Sequence, residues 1–73
     1  MSKHIEIRNA LNELDVAQIT KILNSTPLSS NDRTLMELRY LKRHDMAFIA
    51  DYLGYSVSTI KRRHRVILDR IRI

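Results

Sequence analysis

The chain has 73 residues, with 13 Lys and Arg against 8 Asp and Glu and a formal net charge of +5. A chain this short is one domain and buries only about 60% of the surface that its unfolded form exposes; with no cysteine, disulfides and thiolate–metal sites are excluded, so packing, self-association or a partner must stabilise it. The basic excess favours a nucleic acid or another anionic surface as ligand.

The opening stretch, MSKHIEIRNALNELD, mixes charges with apolar residues. It lacks the apolar core of a secretory signal, and no segment of the chain approaches a membrane span. A cytoplasmic, nucleoid-associated location is the expectation. Ile7, Ala10, Leu11, Leu14 and Ala17 or Gln18 recur at steps of three and four, one face of a helix. Ile19, Ile22 and Leu23 continue an apolar face. Asp15 and Gln18 have capping-box spacing, so this region reads either as one long helix or as two short ones. NSTPLSS, residues 24–30, is the clear breaker, because Pro27 biases Thr26 away from helix. A helix then starts at Ser29, with Asp32 three residues on to complete a second box. Its apolar side is Leu35, Met36, Leu38 and Leu41 or Tyr40.

KRHD, residues 42–45, interrupts. Asp45 is the N-cap expected for a short helix over Met46–Leu53, with Ile49, Ala50 and Leu53 as its buried seam. Gly54 ends it by adopting the left-handed conformation. Ser56 caps the last helix, from Val57 to about Ile71, whose apolar residues are Ile60, Ile67, Leu68 and Ile71. The expected fold is all-α, a compact domain of four or five helices. Residues 1–27 form an N-terminal helical segment and residues 28–73 the remainder.

Two helices joined by a turn at Gly54 are the parts of a helix-turn-helix. Several constraints are met together. Ala50 is small where the second helix must cross the first, Gly54 permits the turn, and Ile60 inserts between the helices. From Lys61 to Arg65 every residue is Lys, Arg or His, and Asp69 is the single acid after Asp51. On a helix packed through Ile60, those charges face outward.

With these pieces the stretch from Leu28 to Arg72 resembles region 4 of bacterial sigma factors, and the related DNA-binding domains of LuxR-type regulators. The resemblance rests on LSSNDRTLMELRY, IADYLGYS, STIKRR and ILDRIR. It implies double-stranded DNA as partner, with the second motif helix in the major groove near a promoter −35 element or an operator and the first crossing the backbone. It also implies a contact with RNA polymerase. Carried over residue by residue, Ser56 is the cap that also touches phosphate, and Val57, Ser58, Lys61 and Arg62 face base edges. Thr59 lies where it can bond a phosphate, and Arg65 reaches phosphate or base one turn on. Tyr55, in the turn, is the best phosphate candidate of the three tyrosines. Arg62 suits guanine O6 and N7, and Val57 a thymine methyl.

Two positions depart from the family pattern. Phe48 stands where Glu is common. Arg63 stands where an apolar residue is common, and is expected to snorkel from the core edge to phosphate. The sigma regions for the −10 element and the polymerase clamp are missing from 73 residues, so the expectation is a free-standing regulator of transcription, of the kind that phages and mobile elements encode. A protein-binding adaptor or inhibitor, or a DNA-packaging or recombination accessory protein, are the alternatives. The N-terminal helices read first as core cover, with a homodimer interface left open. His4, His44 and His64 are scattered without metal-ligand spacing. His64 reads as a phosphate contact or as packing beside its helix. The serines are explained by caps and turns. No catalytic constellation, metal site or cofactor is expected.

Overall fold

A computed structural model describes residues 3–71. Five α-helices are present among them: α1 (Lys3–Glu13), α2 (Val16–Ser25), α3 (Ser30–Met36), α4 (Met46–Leu53) and α5 (Val57–Arg70). The end of α3 widens into one π-helical turn, Glu37–Leu41. The all-α expectation holds.

The N-terminal region is two helices. The Asp15 carboxylate accepts from the Gln18 backbone N–H at 2.8 Å, and the Gln18 side chain accepts from the Asp15 N–H at 3.0 Å. This reciprocal box satisfies donors that a helix start otherwise leaves open. The break rotates α2 away from the face of α1. Leu11 is buried and Ile7 half-buried, but Ala17 and Gln18 are exposed and do not continue that face. Ile19 and Leu23 turn inward instead.

The second expected box is half made. Ser29 Oγ accepts from the Asp32 N–H at 3.2 Å, but the Asp32 carboxylate does not reach back. It pairs with Arg63 across the fold. The π turn was not legible in the pattern. Lys42 N–H bonds to the carbonyl of Glu37, five residues back, and Tyr40 lies buried in the widened turn. The chain leaves it through Arg43 at φ 61, with His44 N–H on the carbonyl of Leu38.

The helix-turn-helix follows the sequence closely. Asp45 Oδ1 accepts from the Phe48 N–H at 2.8 Å and starts α4. Gly54, at φ 80, ends it, and the N–H groups of Gly54 and Tyr55 both bond to the Ala50 carbonyl. A Cβ on Gly54 would meet nothing within 4 Å, so glycine answers a backbone requirement there rather than a lack of room. Ser56 Oγ accepts from the Thr59 N–H at 3.2 Å and starts α5.

One core runs through all five helices: Leu11 of α1, Ile19 and Leu23 of α2, Leu35, Met36 and Tyr40 of α3 and its π turn, Ile49 and Ala50 of α4, and Ile60, Ile67 and Leu68 of α5 with Ile71 beyond it. Helix α5 packs on α1, α3 and α4. The N-terminal helices therefore cover the core, as the first of their two readings held.

Candidate nucleic-acid interface

Helix α5 is fixed on its inner side and open on its outer side. Ile60, Ile67 and Leu68 are buried at no more than 1% exposure. Three side-chain links add direction. On the α3 side, Arg63 Nε donates to Asp32 Oδ1 at 3.0 Å, reinforced by its terminal nitrogen on the same oxygen. Toward the π turn, Tyr40 Oη and His64 Nε2 lie 2.7 Å apart. Toward α1, His4 Nε2 and Asp69 Oδ1 are 2.6 Å apart.

Arg63 thus departs from its expected role. Its side chain stays partly exposed, but the guanidinium is engaged by the nearly buried Asp32 carboxylate, which requires a cation. The same guanidinium lies 5.8 Å from the centre of the Tyr55 ring. Tyr55 Oη accepts from Asn31 Nδ2 at 3.1 Å. Asn31, Asp32, Tyr55 and Arg63 therefore tie the motif turn to the start of α3.

His64 takes the packing role of its two readings. Burial is the main cause that lowers its pKa from 6.5 to about 4, and the positive field of Arg39, Arg8, His4 and Arg65 adds to it. Burial likewise raises Tyr40 to about 12. Both groups are neutral at pH 7, and the Tyr40 hydroxyl and His64 Nε2 share one hydrogen bond.

The outer face carries Ser56, Val57, Ser58, Lys61, Arg62 and Arg65, all exposed, with Thr59 half-buried among them. Tyr55 is 38% exposed at the edge of this face. Thr59 Oγ1 accepts from Ser56 Oγ at 2.8 Å and from Arg62 at 3.4 Å. The Ser56–Thr59 cap thereby holds the Arg62 guanidinium over the first turn of α5. Exposed cations on a helix whose orientation is set from behind can enter a groove and meet base edges and phosphates without reorganising the fold. The eight residues singled out from sequence lie on one continuous edge, from the motif turn to the third turn of α5.

Residues 27–72 match the family model of sigma-70, region 4. The chain belongs to the sigma-70 region 4 family. It therefore carries that family's DNA-binding helix-turn-helix, formed by α4 and α5, and a region 4 domain is a binding rather than a catalytic module. No curated protein and no solved structure gives a significant match. Helices α1 and α2 both precede the region 4 match.

Beside this face lies a feature that the sequence reading missed. A cleft of about 770 Å³ opens between α1, the π turn, the start of α4 and α5, and is lined by Arg8, Arg39, Arg43, Lys61 and Arg65. Lys61 and Arg65 are four apart on α5, a stripe visible in the sequence. Arg8 comes in through the packing of α1 on α5, and Arg39 and Arg43 come from the π turn and the loop after it. On the exposed side of α4, His44 stacks on Phe48 with ring centres 3.8 Å apart, and Phe48 faces Tyr52 at 6.3 Å. Phe48, at the family's usual Glu position, is 44% exposed. Among the described residues no group of three His, Asp or Glu side chains is placed to hold a metal ion. No helix among them is long and apolar enough to cross a membrane.

Proposed function

We propose that this region 4 domain is a sequence-specific DNA-binding regulator of transcription, with the outer face of α5 in the major groove. The observation that carries this reading is the α5 face itself. Its cations are exposed, while Ile60 and the Asp32–Arg63 pair hold the opposite side of the helix in the fold. Val57, Ser58, Lys61 and Arg62 meet base edges, Arg62 suiting a guanine. Tyr55, Ser56, Thr59 and Arg65 hold phosphates and set the register.

A selection from random duplexes tests this. The expected result is a short enriched motif whose affinity falls steeply with salt, as phosphate neutralisation requires. Recovery of unenriched sequence would contradict base reading. Two half-sites about one DNA turn apart would indicate a dimer, and one half-site a monomer.

The exposed His44–Phe48–Tyr52 stack favours a second reading, an adaptor that binds RNA polymerase or another protein through α4. A polymerase pull-down that survives loss of DNA binding, and that Phe48→Glu abolishes, would support it.

A further inference from the structure

We infer that the cleft between α1 and α5 is a phosphate trench for the sugar–phosphate backbone of the same duplex, extending the DNA footprint beyond the groove that α5 enters. This rests on the DNA-binding reading above.

The cleft is strongly basic. Arg8, Arg39, Arg43, Lys61 and Arg65 converge on one open cleft, and Asp45 is the one carboxylate in its lining. That carboxylate is occupied in capping α4 through the Phe48 N–H. Among the described residues none of the five cations has an ion-pair partner. The Arg ion pairs among them join Arg33 to Glu37 and Arg63 to Asp32, and His4 contacts Asp69. Arg43 donates to the Asn12 carbonyl and Arg39 lies over the Tyr40 ring, but neither partner carries an opposing charge, and five like charges around one cleft repel one another, which a bound polyanion relieves.

Position identifies the anion. Lys61 and Arg65 belong both to the cleft and to the exposed face of α5, so the trench begins where the groove face ends. An open trough continuous with a base-reading helix fits a chain of phosphates better than a single small anion. The backbone at Arg43 adds to this. Arg43 holds a left-handed conformation that glycine adopts at lower cost, yet a guanidinium occupies the position and lines the cleft. The positive field also reaches the floor of the cleft, where Arg39, Arg8 and Arg65 help keep the buried His64 neutral. Arg8 lies on α1, outside the matched residues 27–72, so this chain adds a contact to the part that the family shares.

The test uses the full chain and a labelled duplex recovered from the selection. Arg8→Gln and Arg43→Gln are combined, both at exposed positions, and unchanged melting shows that the fold is kept. Affinity is measured from about 50 to 200 mM salt, and the log–log slope is expected to become shallower by about 2, one per lost phosphate contact. Over that fourfold range the variant then loses about 16-fold less affinity than the parent. Motif preference should not change, because phosphate contacts carry no base information. An unchanged slope in this variant, with binding weakened in Lys61→Ala/Arg62→Ala, would overturn the trench. Unchanged binding in both variants would instead overturn the DNA-binding reading itself.

Discussion

At the scale of single residues, His64 shows how a basic run can hide a core residue. Four of the five residues in KRRHR carry permanent charge, and the fifth is 6% exposed beneath them. Its folded pKa, about 4, lies below its ordinary 6.5. The unfolded chain therefore takes up a proton below pH 6.5 that the folded chain refuses until about pH 4. Stability is fully present above pH 6.5 and falls as pH drops through this window. The drop is on the order of 3 kcal/mol for a shift from 6.5 to about 4. Urea unfolding between pH 7 and 4 should show the decline, and His64→Gln should flatten it. A parent protein of constant stability over that range would contradict the assignment. The His64 environment was not legible in sequence. A histidine four residues past Ile60 shares its face, but the hydroxyl that receives it comes from Tyr40, 24 positions away, in a π turn that no apolar spacing announces.

At the scale of elements, α5 is aimed by the residues behind it. The caps at Asp15, Ser29, Asp45 and Ser56 were legible because a cap is a local contract between a side chain and an N–H three residues on. The Asp32–Arg63 pair was not, because Asp32 satisfies the local pattern of a capping box and a partner 31 positions away wins its carboxylate. The two ends of that pair are unequal. The Asp32 side chain is 12% exposed and that of Arg63 37%, so water can solvate the arginine better than the carboxylate. Arg63→Gln, which leaves the carboxylate without its cation, should therefore cost more than Asp32→Asn, by about 1–3 kcal/mol. Urea midpoints of the two variants decide it. Equal costs, or the reverse order, would show that the pair does not position the helix in the way described.

At the scale of the whole molecule, the chain separates its charge from its core. Apolar residues from every helix meet in one interior, and the two N-terminal helices close over the family domain. Arg8, Arg39, Arg43, Lys61, Arg62 and Arg65 are left on the α5 face and in the cleft beside it. The face could be read from sequence, since Gly54 and Ile60 fix which side of α5 is buried. The cleft could not, since Arg8 reaches α5 only through the tertiary packing of α1. The central claim is that the α5 face reads bases, and one comparison tests it directly. The affinity of Lys61→Ala/Arg62→Ala is measured on the selected duplex and on a scrambled duplex of equal length, with the fold checked by melting. A larger loss is expected on the selected duplex, about 1–3 kcal/mol for each base contact removed. Equal losses on both would mean that these side chains hold phosphates alone, and unchanged affinity on both would remove α5 from the groove.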